Sequence, residues 1–289
     1  MTHVHRRLIT LATVALLTAA PALSACSVDD VIGVFGPRAD AEVLSLAQRA
    51  DTDAAALAET APETAELRRR HANQLYAEID RLCGVRDDGR VPDSCAVERT
   101  TPEVGSTDPG EVLDRSHELI LEEMTGLPDG SVALVTGQAI DLAALADPVE
   151  LPEAFELTDR EDVAAAQELL AWEHAASYGL GLASAYLSAD QVDALAELAD
   201  AHDERVLGLR ALLEPSGQAP VAAPGYELEA FPAPTDPASA AEFITSLEAD
   251  TVQLWHAAAA DAHTAQWREW SVAGAAHAQD AAGGHNFTA

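Results

Sequence analysis

Three segments in the second half of the chain each carry one acidic or imidazole side chain within an otherwise apolar helical face. These residues are Glu173, His202 and Glu248. A carboxylate on a buried face needs either a partner or a proton, because burying an unpaired charge is costly. Carboxylates and imidazoles on facing helices can bind iron, manganese or zinc. Alternatively, Arg205 and His202 neutralise the two carboxylates in a metal-free polar cluster that fixes how the helices pack.

The apolar residues around these three positions recur at three- and four-residue steps, which is the spacing of one helix face. Glu173 shares its face with Leu169 and Leu180, and His202 lies in a similar apolar stripe. The same spacing places Glu248 at least partly on the inward face of its helix. We therefore expect the three side chains to point toward a shared core. The same spacing predicts core positions for Trp255, Trp267 and Trp270.

The helices that must position these residues have recognisable start signals. Thr158 and Glu161 have the spacing of a capping box, and so do Ser188 and Gln191. Further along, an Asp-Pro pair at 236–237 has the form of an N-cap followed by a first-turn proline. These signals, with a break near 263–264, predict helices over about 158–187, 188–213, 237–260 and 264–283.

The connections between these four helices are short, long and short. The first two helices are joined by almost nothing and must be antiparallel neighbours, whereas about 22 Pro-rich residues separate the second from the third. Extended at about 3.1 Å per residue, such a connection can travel the length of a helix with a rise of about 1.5 Å per residue. This topology is typical of a ferritin-like four-helix bundle. The alternative is a linker between two separate hairpins.

The first half of the chain also has helical periodicity, and strand signals are nearly absent throughout. We therefore predict an all-α protein in which a smaller helical region precedes the bundle. The expected helices of this region cover about 39–58, 62–83, 109–125 and 131–146.

Two features of the second predicted helix could involve it in polar contacts. His71 shares a face with Leu75 and Glu78, as His202 does with its own neighbours, which hints at an ancient duplication. The alternative is a core histidine with a local partner. The run Arg68–Arg70 lies among acidic residues, so we expect a solvated face or salt bridges from it. The alternative is an anion-binding site.

Cys83 and Cys95 flank a turn-rich segment that contains glycine and proline. A disulfide between them would close a loop of about a dozen residues and contribute roughly 3 kcal/mol on the chain-entropy model. The alternative is two free thiols.

The N-terminus has the layout of an export signal: two arginines, an apolar run too short for a convincing membrane span, and then Leu23-Ser24-Ala25-Cys26. The last four residues resemble a bacterial lipobox, in which the cysteine is lipidated and becomes the first residue of the mature chain. A diacylglyceryl group supplies two acyl chains, which suffice for stable anchoring. The alternatives are an ordinary secretory signal cleaved after Ala25 and an uncleaved anchor.

The charge excludes several classes of partner. The chain has 49 acidic residues against 16 basic ones, a formal net charge of −33, and every basic residue is arginine. Nucleic acid and anionic lipid headgroups repel a surface of this kind.

Several of these motifs together resemble a known family. They are "EHAASYGLG" from Glu173, His202-x-x-Arg205 and Leu247-Glu248, behind a lipobox. The chain resembles ferritin-like-domain lipoproteins of high-GC Gram-positive bacteria, which have no assigned activity. The resemblance covers about 160–282 well and the first half loosely, and it implies a ferritin-like fold.

The chain departs from the iron-oxidising members of the wider ferritin-like group. Those proteins combine a Glu from each of two helices with Glu-x-x-His from the other two. Here Ala199 stands three residues before His202, and Gly274 stands three residues before His277. Too few carboxylates remain to bridge two metal ions.

Together these observations predict a protein without a cofactor, more a binding protein than an enzyme, anchored by lipidated Cys26 at the extracytoplasmic face of the cell membrane. It would bind an envelope protein or a small molecule, and not nucleic acid. The alternative is a metal-handling protein or oxidoreductase that binds iron or manganese through Glu173, His202 and Glu248. The predicted divisions are a signal peptide over 1–25, a tether over 26–38, a helical region over 39–148 and the bundle over 158–282.

Overall fold

The structure is a computed structural model that describes residues 36–86, 88–99, 105–217, 219–226, 232–285 and 287. The regular elements in these residues are all helical, which confirms the all-α prediction. The predicted signal peptide, Cys26 and most of the tether lie outside the described residues. The α helices are α1 (Ala41–Leu57), α2 (Pro62–Cys83), α3 (Pro109–Glu123), α4 (Asp129–Ala143), α5 (Arg160–Ser184), α6 (Ala189–Leu213), α7 (Pro237–Ala260) and α8 (Ala265–Gly284).

Helix α5 begins one residue later than its predicted capping box. Asp159, not Thr158, is the N-cap residue, and its carboxylate accepts hydrogen bonds from the backbone N–H groups of Glu161 and Asp162 at 3.0 and 3.1 Å. An aspartate is at least as good an N-cap as a threonine, so the adjacent acidic residue takes the position. The Thr158 capping box is therefore wrong.

The other predicted starts in the second half are confirmed. The backbone N–H of Ser188 donates to Gln191 at the start of α6, at 3.1 Å. Asp236 accepts from the N–H of Ser239 at 2.8 Å, with a proline in the first turn of α7. Thr264 caps α8, where the break was expected.

In the second half, α5 packs against α6, and α7 packs against α8. The two hairpins also contact each other, because α5 lies against α7 and α6 lies against α8. The alternative in which the long connection only links two separate hairpins is therefore wrong. In the first half, α1 lies against α2 and α3, and α3 lies against α4.

The two halves are in direct contact through α4, which packs against both α7 and α8. The largest apolar core accordingly contains residues of both halves, from Leu46 and Leu75 to Leu209 and Trp255. Within the described residues, none of the helices has both the length and the apolar character that crossing a membrane requires.

The three tryptophans predicted to be core residues are buried, with at most 1% of their surface exposed. Trp267 stacks on Trp270 with ring centroids 5.8 Å apart. Helix α8 approaches Trp255 closely at Gly274, where an added Cβ atom would lie 2.3 Å from Cζ3 of the indole. A side chain at this position would push α7 and α8 apart.

The Sγ atoms of Cys83 and Cys95 lie 2.14 Å apart, at disulfide-bonding distance. Cys83 is the last residue of α2, and Cys95 ends a short 3-10 turn over Asp93–Cys95. Both side chains are buried.

Candidate functional site

The four residues singled out in the second half come together in one buried group, called the C-terminal cluster below. Glu173 is on α5, His202 and Arg205 are on α6, and Glu248 is on α7. The first three are fully buried and Glu248 is 5% exposed. Glu173, His202 and Glu248 therefore point inward, as the periodicity predicts.

Glu173 is the most heavily bonded member of the C-terminal cluster. Its Oε1 accepts from Nε of Arg205 at 2.7 Å and from Nε1 of Trp255 at 2.6 Å, and its Oε2 faces Nδ1 of His202. Burial raises the pKa of Glu173, but the charges and hydrogen bonds of Arg205 and His202 outweigh burial and lower that pKa to about 2. Glu173 is therefore an anion at neutral pH.

His202 lies between the two carboxylates and presents one ring nitrogen to each. Nδ1 faces Glu173, and Nε2 lies 2.9 Å from Oε1 of Glu248. Burial lowers the pKa of His202, but hydrogen bonds to the two carboxylates outweigh burial and raise that pKa above its usual value. Because a carboxylate oxygen faces each ring nitrogen, the geometry fits an imidazolium that donates from both nitrogens. Nη2 of Arg205, 3.0 Å from Nδ1, is then a neighbouring cation rather than a donor to the ring.

Arg205 extends the cluster toward the surface through a second histidine. Its Nη1 lies 3.2 Å from Nδ1 of His277, and Nε2 of His277 lies 3.0 Å from a carboxylate oxygen of Glu204. Burial and the charge of Arg205 lower the pKa of His277. The neutral ring accepts from Arg205 and donates to Glu204, which is an exposed residue.

The donor set does not fit a metal ion bound by Glu173, His202 and Glu248. The two carboxylates face opposite nitrogens of one imidazole ring, and a single ion cannot bind both nitrogens of the same ring. The oxygens of Glu173 already accept from Arg205, Trp255 and His202. The imidazole thus occupies the space between the carboxylates where a shared ion would have to lie.

Among the described residues, one other group of potential metal ligands converges. Asp159, Glu161 and His263 offer ligand atoms within 4.8 Å of one another near the start of α5. Asp159 and Glu161 already serve the N-terminus of α5, as N-cap and first-turn residue. Acidic side chains at a helix N-terminus are explained by capping and by the helix dipole.

A second buried cluster lies in the first half and was not predicted as a site. Nε and Nη2 of Arg68 donate to Oδ2 of Asp53 at 3.0 and 2.9 Å, and the hydroxyl of Ser116 donates to the same oxygen at 2.5 Å. Nη1 of Arg68 lies 3.0 Å from Nδ1 of His71, whose Nε2 lies 3.0 Å from Asp141. This group is called the N-terminal cluster. Arg68 is buried and paired with Asp53, so of the two roles expected for this arginine run, the salt bridge is the one that applies to Arg68.

The two clusters share a layout. In each half, the first helix supplies a carboxylate, Asp53 or Glu173, and the second helix supplies the arginine that binds it, Arg68 or Arg205. The third helix adds a neutral donor to the same carboxylate, Ser116 in the first half and Trp255 in the second. In each cluster the arginine also contacts a histidine with a lowered pKa, His71 or His277.

The sequence patterns did not identify Trp255, His277, Asp53 and Ser116 as polar partners, nor Glu204 and Asp141 at the edges of the clusters. Periodicity predicts only an apolar core position for Trp255, although a buried indole N–H usually needs an acceptor. Asp53 lies on the apolar face of α1 beside buried alanines, as Glu173 does on α5, and this is the signal that could have identified it.

Residues 165–286, somewhat under half of the chain, match a family model described as a domain of unknown function, DUF4439. The match extends from the first turns of α5 to just beyond the end of α8 and includes the whole C-terminal cluster. Comparison with curated proteins and with solved structures found no match.

Proposed function

We propose that this protein is anchored by lipidated Cys26 at the extracytoplasmic face of the cell membrane and binds a partner there without catalysing a reaction. In this proposal the second half is a ferritin-like four-helix bundle whose interior holds the helices together instead of binding metal. The observation that carries the proposal of a metal-free interior is the position of His202, which lies between Glu173 and Glu248 and bonds one with each ring nitrogen.

The cluster has the properties of a structural element. Two carboxylates and two cations give formal charges that cancel within the group. Helices α5, α6 and α7 each contribute, and α8 joins through His277. A buried ionic group of this kind specifies how helices align, because removing one partner leaves an uncompensated charge and costs about 3–5 kcal/mol.

The burial of the cluster argues against catalysis at this position. Its members and His277 are at most 8% exposed, so a substrate would have no route to the carboxylate or imidazole atoms without opening the helices. The donors and acceptors are also already paired with each other. One exception is Oε2 of Glu248, which is buried and has no hydrogen-bond partner among the described residues.

The bundle assignment is supported by the contacts of α5 to α8 and by their connections. Each of these helices lies against two others of the set, and the connections run short, long and short. This is the order expected for a ferritin-like bundle with one crossover. The missing Glu-x-x-His motifs favour a bundle that has no di-metal centre.

The lipid anchor is supported by the residues that precede Cys26 and is tested by labelling. Cells that express the protein are grown with radiolabelled palmitate, and their membrane and soluble fractions are separated. We expect label and protein in the membrane fraction, and loss of the label in Cys26→Ala. A parent protein without label, or a label that survives Cys26→Ala, would overturn the lipidation.

Elemental analysis tests whether the cluster binds metal. The protein is purified without chelators from medium that contains iron and manganese, beside a Glu173→Gln variant. We expect less than about 0.1 metal ion per chain in both, because the imidazole already fills the position between the carboxylates. Stoichiometric iron or manganese in the parent protein that is lost in Glu173→Gln would support the metal-binding alternative.

A further inference from the structure

A cavity of about 340 Å³ lies where the two halves meet, outside both clusters. Its walls come from α3, from the end of α4 with the residues that follow it, and from Ala273 on α8. Pockets of roughly 300–1,000 Å³ are typical of small-molecule sites, and they are common at the junctions between structural units. Its position and size therefore suit a small ligand.

Most of the cavity wall is apolar. Leu113 on α3, Leu142 on α4 and Val149 after α4 line it, together with several alanines. Leu142 is buried, and the other two are partly buried. A ligand with an apolar body of a few carbon atoms would replace water against these side chains.

His117 supplies an unpaired polar group in the same wall. Its ring lines the cavity, and its Nε2 atom is buried without a hydrogen-bond partner among the described residues. Burial lowers the pKa of His117, against the opposing charges of Glu269, Asp114 and Glu118, so the ring is neutral at pH 7. A neutral imidazole adds a polar but uncharged surface to a mostly apolar wall.

The charges at the cavity are negative only. Asp114 and Glu150 are exposed residues that line it, and no arginine does. The chain as a whole carries a formal charge of −33. This field concentrates cations near the cavity and repels anions.

We propose that this cavity binds a small organic amine with an apolar body. The ammonium group pairs with Asp114 and Glu150, while the carbon skeleton lies against Leu113 and Leu142, beside the ring of His117. The proposal rests on the proposed function in one respect, that the chain is a binding protein. The site is separate from the C-terminal cluster, so the metal and palmitate experiments and the ligand experiment can fail independently.

The test is an NMR titration of the full protein, labelled at its histidines, with 2-phenylethylamine. We expect the His117 resonance, assigned by its loss in His117→Leu, to shift with a Kd on the order of 1 mM or tighter. Methylamine has the charge without the apolar body, and 2-phenylethanol has the body without the charge. Both should bind at least about tenfold more weakly, because each lacks one of the two contributions.

Two variants separate this site from general attraction to an acidic surface. Asp114→Asn combined with Glu150→Gln should weaken the binding of 2-phenylethylamine about fivefold, which is the scale of two exposed charge pairs. Asp280→Asn, an exposed charge on α8 that does not line the cavity, should leave the binding unchanged.

Three results would overturn the proposal. One is a His117 resonance that does not move at about 10 mM 2-phenylethylamine, well above the expected Kd. Another is an equal response to methylamine, which would mean diffuse charge attraction. The third is an equal loss of binding in Asp280→Asn and in the double variant.

Discussion

The indole N–H of Trp255 donates to Oε1 of Glu173 over 2.6 Å, and this bond joins α7 to α5 where neither side chain is exposed. The acceptor is ionised, and hydrogen bonds to charged groups contribute more than those between neutral groups. Trp255 is therefore both an apolar core residue and a member of the charged cluster.

Replacing Trp255 by Phe removes the donor and keeps an aromatic ring. We expect Trp255→Phe to lower the free energy of unfolding by about 1.5–3 kcal/mol beyond the loss from ring size, because a buried anion loses a donor. Urea denaturation followed by circular dichroism gives this quantity.

Trp267→Phe is the matched control for that measurement. Trp267 is equally buried, but its Nε1 has no hydrogen-bond partner among the described residues. The same change therefore removes ring volume at this position without removing a hydrogen bond. Equal losses in the two variants would show that the bond to Glu173 contributes nothing measurable.

The low pKa of Glu173 predicts a loss of stability in acid. The ordinary value for the carboxyl is 4.5, and the folded value is about 2. A depressed folded pKa gives stability that is fully present above 4.5 and is lost as the pH falls from 4.5 toward 2. The corresponding contribution is on the order of 3 kcal/mol.

In the Glu173→Gln variant, the side chain at this position cannot ionise, so comparison with the parent protein isolates the contribution of the Glu173 carboxylate. We expect the unfolding free energy of the parent protein to fall more steeply between pH 4.5 and pH 2 than that of the variant. Glu168→Gln, an exposed change on the same helix, should follow the parent curve. Parallel curves for the parent and Glu173→Gln would contradict the lowered pKa.

The raised pKa of His202 predicts a pH dependence of stability opposite to that of Glu173. A raised folded pKa gives stability that is present below the ordinary value of 6.5 and is lost as the pH rises through the folded value. Histidine NMR should show the His202 ring still protonated at pH 7.5, whereas His277 should be neutral there. A His202 ring that loses its proton below pH 6.5 would exclude an imidazolium between the two carboxylates.

The Cys83–Cys95 disulfide predicts that reduction lowers the stability of the protein. The two residues are 12 positions apart, and a cross-link that closes such a loop contributes roughly 3 kcal/mol on the chain-entropy model. We expect dithiothreitol to lower the unfolding midpoint of the parent protein and to leave that of a Cys83→Ser, Cys95→Ser double variant unchanged. Mass spectrometry after alkylation under denaturing conditions counts the free thiols directly. If Cys83 and Cys95 are both alkylated without reductant, the disulfide is excluded.

Much of the fold was predictable from local patterns. The apolar periodicity and the Pro-rich breaks predict all eight α helices of the described residues with small errors at their ends. Periodicity also predicts the inward positions of Glu173 and His202. Only local contacts are needed for this, because a helix end and a helix face depend on residues within a few positions. The one wrong cap, at Thr158, was an error of a single residue between two good capping side chains.

The partners inside the clusters were decided by the tertiary structure. The sequence indicates which side of its own helix a residue occupies, but not how far each helix is shifted and rotated relative to the next. That arrangement depends on side-chain packing across helices, as at Gly274 against Trp255, where a close approach sets the spacing. It put His202 between the two carboxylates, paired Arg205 with Glu173 and not with Glu248, and buried Arg68 against Asp53. Trp255 and Glu173, which bond to each other, are 82 positions apart in the chain.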